Sequence, residues 1–136
     1  MTNTEIFTID KKELIFNVPS MHDCYFTVLY NDNILTLVFD DLNRYRDLSH
    51  SPIYGDYKKL TIKYYVSYVD LNLKYLKKKK LSFDTIEPLD NHILIMYKYS
   101  VDSFGEMRLH FNAEKNKKFA TATIDILPTK IECIWE

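Results

Sequence analysis

The stretch from Asp23 to Asp40 reads Asp-Cys-Tyr-Phe-Thr-Val-Leu-Tyr-Asn-Asp-Asn-Ile-Leu-Thr-Leu-Val-Phe-Asp, and its pattern decides the fold class. Two apolar-rich runs flank Asn31-Asp32-Asn33, residue types that tolerate the left-handed conformations of tight hairpin turns. A two-residue loop at Asp32-Asn33 pairs Tyr30 with Leu35, Val28 with Leu37 and Phe26 with Phe39, which makes one face wholly apolar. The other face then mixes Tyr25, Thr27 and Leu29 with Thr36, Val38 and Asp40. A three-residue loop would scatter polar residues onto both faces, because a slip of one residue turns every side chain over. An even-length loop is therefore expected, with this hairpin at the centre of the core.

Toward the N-terminus, residues 4–18 read as a first hairpin turning at Lys11-Lys12, with Phe7 opposite Phe16 and Ile9 opposite Leu14. Pro19 ends it, since proline cannot donate into a ladder. Toward the C-terminus, Leu60, Ile62, Tyr64, Val66 and Tyr68 alternate with Lys59, Thr61, Lys63 and Ser67. The apolar phase then switches to Leu71, Leu73 and Tyr75, which predicts a bulge or bend near Val69-Asp70 or, alternatively, a short helix over 70–80. Lys77 to Lys80 form a turn, followed by a strand from Leu81 to Ile86, a turn cluster at residues 87–91 and a strand from His92 to Val101. With Lys115 to Lys118 as a four-residue loop, Ala113 pairs with Ala120, Phe111 with Ala122, Leu109 with Ile124 and Met107 with Ile126. The opposite face pairs Asn112 with Thr121, His110 with Thr123 and Arg108 with Asp125. After Pro128, a closing strand carries Ile131, Cys133 and Trp135 on one face.

The sum is a single all-β domain over residues 1–136, with about nine or ten antiparallel strands in meander order and at most one short helix. Both a β-sandwich and a β-barrel satisfy that pattern, and closure would remove exposed edges. In length and strand number the chain is similar to small ligand-binding barrels of the calycin type, the lipocalins and fatty-acid-binding proteins. It departs from them in having no helical lid between its first two strands. The number of large inward-facing aromatics makes a barrel or sandwich enclosing a small apolar ligand the alternative reading, with a pocket lined by the faces of Phe26, Tyr30, Leu37, Tyr64 and Leu109.

Composition narrows the function. The chain has 136 residues, eleven tyrosines and eight phenylalanines, a bias toward strand. A net charge of −1 gives no global field toward nucleic acid or an anionic membrane. Gly55 and Gly105 are the only glycines, so no phosphate-binding glycine motif can be written. Neither a signal peptide nor an apolar run of spanning length is visible, and the two cysteines form no CxxC. A cytoplasmic protein with reduced thiols is expected.

The candidate sites are few. His22 and Cys24 would share a strand face, and His110 or Cys133 could complete a tetrahedral metal set. No closely spaced second ligand pair supports this, and Cys24 reads better as a small buried hydrophobe heading the Phe26 face. A nucleophilic Cys24 lacks electropositive neighbours in sequence, and Asp40-Asp41 reads as the solvated end of a strand. Lys58-Lys59, Lys77 to Lys80 and Lys115 with Lys117-Lys118 could form a basic patch, though lysines at turns commonly keep β-proteins soluble. The 41–56 segment lacks any period, and with its flank it gathers Arg44, Tyr45, Arg46, His50, Tyr54 and Tyr57, types enriched at interfaces. No catalytic set, metal or cofactor is therefore expected. The reading is a non-catalytic binding module for a protein partner, of an immunity or accessory type, with a homodimer also possible. Binding of nucleic acid is the weaker reading, and no membrane contact is expected.

Overall fold

The computed structural model describes residues 2–8, 18–42 and 57–136. Among these residues ten strands make two antiparallel sheets packed face to face, a sandwich with no closed barrel. The strands are β1 (Asn3–Thr8), β2 (Thr27–Asn31), β3 (Ile34–Phe39), β4 (Leu60–Tyr65), β5 (Asp70–Tyr75), β6 (Leu81–Phe83), β7 (Ile93–Val101), β8 (Met107–Lys115), β9 (Lys118–Ile126) and β10 (Lys130–Trp135). The first sheet runs β1-β10-β4-β3-β2 and the second β6-β5-β9-β8-β7. Neighbours within β2-β3-β4 and β7-β8-β9 follow meander order. The insertion of β10 between β1 and β4, and of β9 between β5 and β8, departs from it.

The central hairpin forms as its sequence dictates. Asp32 and Asn33 make the two-residue turn with φ of 53° and 61°, the doubly left-handed geometry whose twist matches that of the strands. Val28 pairs with Leu37 and Tyr30 with Leu35, but the ladder stops at Thr27 with Val38. Phe26 leaves it to bridge Leu94 of β7 in the other sheet. Its ring still stacks on Phe39 at 5.6 Å and meets Tyr97 and Phe111 edge-on at 5.2 and 5.1 Å. This aromatic cluster joins the two sheets.

The phase switch after β4 has a simple cause. Leu60, Ile62 and Tyr64 point inward from the first sheet, the chain crosses at 66–69, and Leu71 and Leu73 point inward from the second. Residues 70–75 are thus strand, and the helical alternative for 70–80 is not what forms. Among the described residues a 3-10 turn spans Glu87–Leu89. The β8–β9 register agrees with every expected pair, from Met107↔Ile126 to Ala113↔Ala120. The loop is shorter than expected, because Lys115 also pairs with Lys118 and Asn116-Lys117 turn with φ of 53° and 64°. In β7 the register shifts between Ile95 and Lys98, a bulge centred on Met96 at φ 60°.

The first hairpin's expected partners Ile9, Leu14 and Phe16 lie outside the described residues, while Phe7 pairs with Ile131 of β10. Phe26, Leu37, Tyr64 and Leu109, expected to line a cavity, are buried core, and Tyr30 packs partly buried against it. Tyr64 and Tyr97 share a hydroxyl–hydroxyl hydrogen bond at 3.3 Å across the sheets.

Candidate functional site

Of the six residues expected on the binding segment, Arg44, Tyr45, Arg46, His50 and Tyr54 lie outside the described residues. The sixth, Tyr57, packs partly buried against the core, its ring 5.9 Å from that of Trp135.

The metal-like set does not converge. Cys133 is buried inside the first sheet and Cys24 in the core, its Sγ donating to the His22 carbonyl at 3.8 Å. His22 points outward and its Nδ1 lies 3.1 Å from Asp23 Oδ2. Burial, then the Asp23 charge, pushes the Cys24 thiol up to about 11, and burial pushes Cys133 further, so neither is a ready thiolate. Among the described residues no group of three or more His, Cys, Asp or Glu side chains could hold a metal ion. His22 and His110 do line one open cleft of about 400 Å³, together with Lys98, Met96 and Thr123. The His110 ring is held below its ordinary value by desolvation and by the Lys98 and Arg108 charges, which favours a neutral, hydrogen-bonding imidazole.

The second sheet brings together a different set. Because β5 runs antiparallel to β9, with Asp70 opposite Asp125 and Tyr75 opposite Ala120, the β5–β6 turn lies beside the β8–β9 turn. Lys74 and the run Lys77 to Lys80 therefore meet Lys115, Lys117 and Lys118 at one end of the sheet, all exposed. One cleft at this end is lined by Lys78, Lys115 and Lys118, with Tyr75 and His92, whose side chains hydrogen-bond at 3.0 Å. A second, about 540 Å³, is lined by Lys74, Lys77, Leu76 and Phe119. Four large apolar side chains stand exposed among the lysines: Leu76 at 84%, Phe119 at 55%, Ile93 at 54% and Leu81 at 49%. Among the described residues the carboxylate contacts within 4 Å of a basic side chain are Arg108–Asp125 and His22–Asp23, and neither takes a lysine.

The sheet's opposite end is acidic. Asp70 and Asp125 pair across β5 and β9, and Asp102 and Glu106 sit in the turn before β8. The Tyr68 phenol is held above its ordinary value by burial and then by Glu106, Asp125, Asp70 and Asp102, so these carboxylates share one region. Arg108 enters it through a forked bond to Asp125, at 2.7 and 3.0 Å.

The lysine runs were visible in the sequence, whereas the exposed apolar residues between them were not singled out. The signal was there: Leu76 and Leu81 bracket a run of four lysines, and Phe119 follows Lys117-Lys118. No protein-family model, curated protein or solved structure matches the chain.

Proposed function

We propose that the protein is a non-catalytic binding module that engages an acidic macromolecular surface through the lysine-rich end of its second sheet. The supporting observation is the segregation of charge along that sheet, Asp70, Asp102, Glu106 and Asp125 at one end and the lysine turns at the other. Glu114 and Asp90 are the acids set among the lysines, too few to neutralise them. Positive potential at such a patch persists over roughly a Debye length of about 8 Å at physiological salt.

The test is retention on an immobilised polyanion, heparin. A chain of net charge −1 with mixed charges passes such a column, whereas a lysine end binds at low ionic strength and elutes with salt. Replacing Lys77 to Lys80 by serine should abolish retention. Replacing Lys58-Lys59, which hydrogen-bond through their backbone to Glu136 beside the first sheet, should not. Flow-through of the unaltered protein at low salt would refute the reading.

A further inference from the structure

The chemistry of the lysine end also selects among acidic surfaces, and this step rests on the binding-surface reading above. We propose that the end docks on an anionic lipid bilayer, with Leu76 and Phe119 entering the headgroup region and the surrounding lysines meeting lipid phosphates.

Three features favour lipid over other polyanions. Protein–protein interfaces are enriched in Arg, Trp and Tyr and depleted in Lys, yet every cation of these two turns is lysine. Single-stranded nucleic acid is held by stacking on aromatic faces. Here three of the four exposed apolar side chains, Leu76, Leu81 and Ile93, are aliphatic and offer no ring, and Tyr75 is held by His92. An anionic bilayer instead rewards this mixture: aliphatic and aromatic tips bury in the interface, while flexible lysine stems reach phosphates around them.

The position of the apolar residues fits that task. Leu76 lies in the β5–β6 turn, Phe119 one residue past the start of β9, Leu81 opens β6 and Ile93 opens β7. All four are thus at the same end of the sheet, since Leu73 pairs with Leu81, Tyr75 with Ala120 and Ile93 with Glu114. The acidic end would face away from the membrane, so the sheet's own charge distribution orients it with its strands pointing toward the bilayer.

The test is vesicle co-sedimentation of the full chain, with phosphatidylcholine vesicles compared against mixed phosphatidylcholine–phosphatidylglycerol vesicles. Binding is expected only to the mixed vesicles, weakening as salt rises. Each lysine of the 77–80 run changed to serine should weaken it about five-fold. Leu76→Ser, at a turn position 84% exposed where folding is not at risk, should weaken it about ten-fold or more while leaving heparin retention unchanged. Retention on heparin without vesicle binding would overturn the lipid assignment and leave the binding surface standing. So would equal vesicle binding by Leu76→Ser, or tighter binding to a single-stranded oligonucleotide than to the mixed vesicles. Loss of both heparin and vesicle binding would remove both.

Discussion

Tyr64 and Tyr97 provide a demanding check on the packing between the sheets. Both side chains are fully buried, one from β4 and one from β7, and each hydroxyl bonds the other at 3.3 Å. That distance is long for O–H···O, where about 2.7–2.8 Å is usual, so the bond itself contributes little. Its worth lies in what is left when one partner goes. Tyr97→Phe strands the Tyr64 hydroxyl in an apolar interior, and an unsatisfied buried hydroxyl costs about 1–3 kcal/mol. Tyr64→Phe strands the Tyr97 hydroxyl at a similar cost. The double substitution removes both polar atoms while keeping both rings, including the Tyr97 contacts with Phe26 and Phe39 at 5.2 Å. It should therefore cost less than the sum of the singles by about 1 kcal/mol or more, a coupling measurable in a double-mutant cycle. Urea unfolding followed by tryptophan fluorescence gives the free energies, Trp135 being the chain's one tryptophan and buried in β10. The m-value should stay constant across the four proteins. Single substitutions that each cost less than about 0.5 kcal/mol and simply add would refute the reasoning, because the hydroxyls would then not depend on one another.

Alkaline pH should destabilise the fold, since burial holds Tyr64 and Tyr97 above their ordinary 10.0, Tyr99 at about 12 and Cys24 at about 11. The unfolded chain ionises these groups first, so their contribution is complete below pH 9.0 and declines above it. Each fully buried group then loses about 1.4 kcal/mol per pH unit until its folded value is reached. A urea midpoint unchanged between about pH 8 and about pH 10.5 would contradict this. Met96→Gly should raise Tm, because Met96 holds φ at 60° in the β7 bulge and glycine removes a strain of about 1 kcal/mol. A fall in Tm would mean that the Met96 side chain itself holds the bulge. Arg108→Lys should lose the fork to Asp125 and cost less than about 1 kcal/mol, since Arg108 is half exposed. A loss above about 2 kcal/mol in urea would show a buried network in place of a surface pair.

Local pairings were legible and distant ones were not, for a physical reason. In 107–126 a strict alternation surrounds a polar turn of even length, so every pair from Met107↔Ile126 inward follows from one choice of phase. The same logic gave Val28↔Leu37. It failed at Phe26, where the chain leaves one sheet for the other and the alternation carries no record of which sheet receives it. The insertion of β10 between β1 and β4 is invisible for a related reason: β4 and β10 each show an apolar face, β1 offers only Phe7 beside Asn3 and Glu5 on the face it shares with β10, and nothing local selects neighbours. The β7 bulge did leave a trace, because buried Leu94 and Tyr97 lie three positions apart, a break in a period of two. The expected binding segment at 41–56 rested on residue types alone, without a pairing to place it.

Net charge proved the least informative number in the sequence, and the sheet explains why. A six-residue strand spans about 20 Å, more than twice the Debye length at physiological salt. The carboxylates at the Asp70 end of β5 are thus screened from whatever meets the lysines at the Tyr75 end, so a total of −1 describes neither end. The convergence of Lys77 to Lys80 with Lys115 to Lys118 depends on the β5–β9 pairing, a contact between residues more than forty positions apart. Solubility would account for lysines at turns, since charged turns discourage edge-to-edge pairing. It does not account for Leu76, 84% exposed at the tip of the same turn, or for Phe119 beside it, because both work against solubility. An exposed apolar tip is not by itself the mark of this end, since Phe104 is 78% exposed in the turn beside Asp102. What marks it is apolar tips set among lysines, and this is the combination that the vesicle experiment separates residue by residue.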